Sequence, residues 1–107
     1  MLEQFKRLLG HLYGCLHDTG VISLKVNADG SVWLERQDGR PQRWPQTLDR
    51  RTRQGIVDLV QDEAFDVNEA LMFEETLSFL NHAHFLGFYA ARTHQPAFQI
   101  SWATSYE

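Results

Sequence analysis

Leu2, Phe5, Leu8, Leu9, Leu12, Tyr13 and Leu16 recur at steps of three and four. That spacing is the apolar stripe of an amphipathic helix and predicts one over residues 2–17. Asp18-Thr19-Gly20 should stop it, with Gly20 in the left-handed position after the last turn. Gly10 and Gly14 fall inside this helix at a cost of roughly 1 kcal/mol each against alanine, and tight packing on the domain's own sheet would explain them. Ile22, Leu24 and Val26 then alternate with Ser23, Lys25 and Asn27, the period of a half-buried strand. Asn27-Ala28-Asp29-Gly30 is a turn, with Asp-Gly supplying positive φ. Ser31 to Arg36 is the returning strand, with Val32 and Leu34 on one face and Trp33 and Glu35 on the other. After a second turn, Gln37 to Pro41, a short strand through Arg43 and Trp44 should close a meander before Pro45.

Thr47 or Asp49 is placed to cap a second helix over about residues 49–63, with Ile56, Leu59, Val60 and Ala64 as its apolar face. The pattern then returns to strands, read as Leu71–Leu80, Ala83–Ala91 and Ala97–Trp102, joined at Asn81-His82 and at Thr93-His94-Gln95-Pro96. Phe85, Gly87 and Tyr89 fall on one face of the middle strand, and His84, Leu86 and Phe88 on the other. The order α-β-β-β-α-β-β-β predicts one α+β domain over residues 1–107. Its antiparallel strands carry helices packed on one face, PAS-like in outline.

Composition narrows the function. The 107 residues amount to about one domain, and 43% hydrophobic content is enough for a core. No apolar run reaches the ~18 residues of a membrane span, and Glu3, Lys6 and Arg7 break up the first ten residues, unlike a signal peptide. Cys15, the one cysteine, has no internal disulfide partner, so a cytoplasmic protein is expected, at most peripheral to a membrane through a partner. The chain has no G-x-x-x-x-G-K-[ST] loop, no G-x-G-x-x-G turn and no C-x-x-C pair.

The net charge of −4 conceals a split. Residues 1–53 hold nine Lys/Arg against six acidic residues (+3), and residues 54–107 hold Arg92 against eight (−7). Arg36, Arg40, Arg43, Arg50, Arg51 and Arg53 are followed by Asp58, Asp62, Glu63, Asp66, Glu69, Glu74 and Glu75. An acidic total argues against nucleic acid as a partner, because phosphate neutralisation needs a basic face. Three arginines in the first turn of the second helix oppose its macrodipole, which hints at an anionic partner or an acidic patch on the same domain. Aromatic residues beside arginines are the make-up of an interface centre. The candidate protein interface is therefore Trp33, Arg36, Arg43 and Trp44 on the meander, with Arg50, Arg51 and Arg53 on the helix.

Other candidate chemistry reads as structural. His82, His84 and His94 with Glu74 or Glu75 resemble a metal set only in that His82 and His84 would share one side of a strand. Surface or turn histidines are the plainer reading, and zinc or a chelator should leave the melting temperature unchanged. Cys15, four residues from His11, lies close to the apolar stripe and reads as a packed thiol. Asp62-Glu63 and Glu74-Glu75 read as solvated charge. No catalytic residue, cofactor or metal is expected.

The stretch from Asp18 to Arg36, with Asn27, Asp29, Gly30, Trp33, Glu35 and Arg36, resembles the N-terminal domain of the TrbB-like hexameric traffic ATPases of type IV secretion and conjugation. Gly55 to Val60, Phe85-Leu86-Gly87-Phe88-Tyr89 and Pro96-Ala97-Phe98-Gln99-Ile100 continue the resemblance in order and spacing over nearly the whole chain. In that family a motor with the phosphate loop follows this domain, whereas the sequence stops at Glu107 without one. Ser101 and His84 stand where the family carries arginines on its nucleotide side. Ala90-Ala91 replace paired prolines, and the loop before Ala83 lacks Gly-Glu-Arg. The resemblance thus implies a non-catalytic relative without ATP hydrolysis, acting as assembly partner, regulator or inhibitor of a secretion or DNA-transfer machine. Its partner would be a hexameric secretion ATPase or another secretion-channel subunit, and it would itself be a homo-oligomer. Two other readings fit a small acidic α+β domain: a dimeric secretion chaperone or effector adaptor, and a PAS-like small-molecule sensor.

Overall fold

The computed structural model describes residues 2–18, 20–61 and 72–102. The chain runs α1 (Leu2–Leu9), a 3-10 segment (Gly10–His17), β1 (Val21–Val26), β2 (Val32–Arg36), β3 (Pro41–Arg43), α2 (Arg50–Val60), β4 (Met72–Leu77), a 3-10 turn (Ser78–Leu80), β5 (Ala83–Tyr89) and β6 (Pro96–Ser101). All six strands form one antiparallel sheet in the order β3-β2-β1-β6-β5-β4. Two three-stranded meanders therefore join side by side, the first strand pairing with the last at the sheet's centre. The α+β order expected from the hydrophobic pattern is the one observed.

One face of the sheet carries both helices. Leu24, Val26, Val32, Leu34, Phe85, Phe98 and Ile100 point into that layer, where they meet Phe5, Leu9, Leu12 and Leu16 from the N-terminal segment and Ile56, Val57 and Val60 from α2. Phe85 stacks on Phe98 at 5.4 Å between ring centroids, and Phe5 meets Phe79 edge-on at 5.3 Å. Aromatic pairs in these geometries add to plain area burial. No helix among the described residues is long and apolar enough to cross a membrane.

Several local expectations are corrected. The α-helix ends at Leu9, because Gly10 takes φ +58° and the chain tightens into a 3-10 segment through His17. The terminating left-handed glycine is thus Gly10, not Gly20. Gly20 instead donates its amide to Asp18 Oδ1 at 2.9 Å. Neither Gly10 nor Gly14 packs on the sheet: a Cβ at either would meet nothing within 4 Å. β3 stops at Arg43, although the Trp44 amide still bonds the Val32 carbonyl at 2.8 Å. α2 starts after Asp49, whose side chain accepts from the Thr52 amide at 2.8 Å, so Asp49 and not Thr47 is the cap. The strands expected to reach Leu80 and Ala91 end at Leu77 and Tyr89. Ala64, Leu71, the acidic residues Asp62, Glu63, Asp66 and Glu69, and residues 103–107 lie outside the described residues.

Candidate interaction surface

The seven residues of the expected interface do not form one patch. Arg53 is only 4% exposed and lies inside the fold. Its Nε donates to the Pro96 carbonyl at 2.9 Å and Nη1 to the Leu48 carbonyl at 2.6 Å. Its Nη2 donates to the Ala28 carbonyl at 3.0 Å and to Gln95 Oε1 at 2.7 Å. One guanidinium thus ties the β1–β2 turn, the lead-in to α2 and the start of β6 together. Burial pushes its pKa down, and the charges of Asp29 and Asp49 push it back up. The starting value is so high that the group stays cationic. Arg53 is therefore withdrawn from the interface set: its donors are engaged by backbone carbonyls and Gln95. The signal was present in the sequence, since Arg53, Ile56, Val57 and Val60 follow the i, i+3, i+4, i+7 spacing of a buried stripe.

Arg53 also organises what surrounds it. Gly30, at φ +92°, has its amide bonded to the Asn27 carbonyl at 3.0 Å and its carbonyl to the Leu48 amide at 3.0 Å. A Cβ at Gly30 would sit 2.7 Å from the Leu48 carbonyl oxygen and 3.0 Å from Arg53 Nη1, so the turn needs glycine for space as well as for φ. Asp29 accepts from the Ser31 hydroxyl at 2.6 Å and the Ser31 amide at 2.9 Å. Those bonds, with the charge of Arg43, hold its carboxyl below the ordinary range. The corner built this way exposes Arg43, Arg50 and Arg51. None of the three makes an ion pair within 4 Å among the described residues.

Arg36 sits at the other end of β2. Its Nη1 donates to Asp18 Oδ2 at 3.0 Å and its Nε to Gln42 Oε1 at 3.0 Å. The Gly20 amide and the Arg36 guanidinium together lower the Asp18 pKa. Trp44 is half-buried against the helix-side core, and Trp33 stands on the opposite face. Trp33 forms one wall of an open cavity of about 320 Å³ with Ser23, Lys25, Glu35, Gly39 and Pro41, floored by Leu34. The sequence reading did not single out this cavity, because its walls come from three strands whose register decides which side chains meet.

The histidines separate. His82 lies in the turn before β5 with φ 58°, outside the strand, so it does not share a side with His84 as expected. His94 lies at the far end of β5, in the turn to β6. His84 Nε2 is 3.6 Å from Glu74 Oε2 on the sheet face away from the helices. Cys15 is half-buried against the core, and desolvation raises its pKa, which disfavours the thiolate.

No protein-family model matches this chain, and no curated protein matches it. Among solved structures, the chain is similar to the VirB11 ATPase from the Brucella suis type IV secretion system, determined in complex with sulphate. The TM-score is 0.74 at 13% sequence identity, over 97% of this chain and 33% of that one. The shared property is the fold: nearly all of this chain has the architecture of one third of a secretion ATPase.

Proposed function

We propose that this domain is a non-catalytic interaction module of a type IV secretion or DNA-transfer machine, acting as an assembly partner or regulator of a ring ATPase. The observation that carries this reading is the fold shared with the VirB11 ATPase over 97% of the chain. The ordered motifs from Asp18 to Ile100 that resemble the N-terminal domain of such ATPases support it. The surface assigned to the partner is the basic corner with Arg50 and Arg51 at its centre. Exposed cations at a helix start oppose the helix dipole, and an acidic partner surface relieves that opposition while steering association.

Purification of the tagged chain from its own cells tests the reading. Recovery of a traffic ATPase or a secretion-channel subunit is expected, with recovery falling at least tenfold for the double variant Arg50→Glu/Arg51→Glu. Failure to recover any secretion component would overturn it. The purified chain should release no phosphate from Mg-ATP above the buffer rate, and measurable turnover would remove the non-catalytic part of the proposal.

A further inference from the structure

The sheet face away from the helices has a definite pattern, set by two complete rows of cross-strand neighbours. One row reads Arg43, Trp33, Lys25, Gln99, Leu86, Glu74 from β3 to β4. The next reads Pro41, Glu35, Ser23, Ser101, His84, Thr76. Arg43, Lys25, Glu35, His84 and Glu74 are exposed, and Trp33 and Leu86 are half-exposed. Beside Leu86, the cross-strand pair Phe88 and Met72 extends the apolar ground, and Met72, at 58%, is the large hydrophobic residue most exposed among those described.

These rows are complementary to themselves. A half-turn about an axis parallel to the strands, passing between β1 and β6, lays β3 of one copy over β4 of the other. Arg43 then meets Glu74, Trp33 meets Leu86 and Lys25 meets Gln99, while Glu35 meets His84 and Ser101 lies over Ser23, which is buried within its own chain. Each pairing occurs twice, as two-fold symmetry requires. No like charges are opposed. The cavity of about 320 Å³ beside Trp33 and Glu35 falls opposite the partner's β5, whose Leu86 is an apolar knob for it.

We propose that this face binds a second copy of the chain, giving a two-fold dimer of sheets packed face to face. Aligned sheets keep their mean strand directions within about 30° of each other with side chains interdigitating, and a two-fold along the strands satisfies this while keeping the paired positions within reach of arginine, glutamate and tryptophan. Six strands about 4.8 Å apart and some 20 Å long offer roughly 500–600 Å² per copy, or a little over 1,000 Å² in all. That is the low end for a specific interface, so a micromolar dimer is expected. The dimer uses the open sheet face and shares only Arg43 with the basic corner, leaving Arg50 and Arg51 free, so those two residues test the secretion partner separately.

Sedimentation equilibrium of the purified chain between 1 and 100 µM tests the proposal. Wild type should dimerise. Leu86→Glu should stay monomeric with an unchanged melting temperature. Arg43→Glu and Glu74→Arg should each weaken the dimer at least tenfold. The double variant Arg43→Glu/Glu74→Arg should recover to within about threefold of wild type, because each swapped charge meets its swapped mate. A wild-type monomer at 100 µM, a dimer indifferent to these changes, or a double variant no better than the singles would each overturn it. Arg50→Glu/Arg51→Glu should leave the dimer intact, which separates this surface from the proposed secretion-partner surface.

Discussion

Arg53 shows how one buried polar group governs a region of this fold. Its four hydrogen bonds reach three carbonyls and one side-chain amide drawn from distant parts of the chain. Removing the guanidinium leaves the buried Pro96 carbonyl and three partly buried acceptors unpaired, which is costlier than the bonds' net worth. Arg53→Met should therefore destabilise the domain by about 2–4 kcal/mol in urea unfolding. Arg50→Ala and Arg51→Ala, on the same turn but exposed, should stay within about 0.5 kcal/mol of wild type. Acid sensitivity also belongs to single residues. Asp18, Asp29 and Asp49 have carboxyls held below the ordinary value by hydrogen bonds from Gly20, Ser31 and Thr52. A carboxyl depressed in the folded state contributes stability that is present above its ordinary pKa of about 3.9 and is lost as pH falls through the folded value. The melting temperature should be level above about pH 5 and fall below about pH 4. Asp49→Asn keeps a cap while removing one titrating group, so its acid-side fall should be shallower.

Among the elements, the N-terminal helix departs furthest from its sequence pattern. The stripe from Leu2 to Leu16 is continuous in the sequence, yet the α-helix ends at Leu9. Gly10 takes the left-handed conformation there, and the 3-10 segment that follows keeps Leu12 and Leu16 buried. Periodicities of 3.6 and 3.0 are hard to separate over seven residues, so the apolar positions were legible and the helix type was not. Two glycines four residues apart should then respond oppositely to alanine. Gly10→Ala should cost about 1 kcal/mol through its positive φ. Gly14→Ala meets no neighbouring atom and should be neutral or slightly stabilising, as thermal melts of the two variants will show. In β2 and β5 the period-2 pattern was a dependable guide, whereas at the start of β1 a bulge between Val21 and Ser23 buries both of those residues and leaves Ile22, expected on the buried face, only half-buried. Val32 and Leu34 are buried with Trp33 and Glu35 opposite, and Phe85 and Gly87 are buried with His84 and Leu86 opposite.

For the whole molecule, the sheet divides the two meander tryptophans that the sequence placed in one candidate interface. Trp44 lies on the helix side against the core, and Trp33 on the open face beside the cavity. Trp44→Ala should lower stability by about 2–3 kcal/mol, whereas Trp33→Ala should cost about 1 kcal/mol or less and act mainly on self-association. Urea unfolding and sedimentation of the same two variants separate these effects. In the proposed dimer two residues that look unremarkable along the chain gain a role at the sheet's centre: Gln99 offers its amide oxygen to the partner's Lys25, and Ser101 is a short uncharged side chain that lets the copies approach.

Element order, the α+β class and the inward and outward faces of β2 and β5 were set by the sequence alone, while the bulge that turns Ser23 inward in β1 was not. Side-chain alternation and helical spacing are local properties, readable within a window of a few residues. Arg53 lay within that reach as well, on the apolar stripe of its helix. The tertiary structure alone decided that β1 pairs with β6, some seventy residues away, and hence that Lys25 neighbours Gln99 and that Arg43 and Glu74 stand at opposite ends of one row. Strand register joins residues through backbone hydrogen bonds between distant segments, and a one-residue slip would turn every side chain to the other face. The core packed against the helices selects one register, and that choice arranges the charges on the open face.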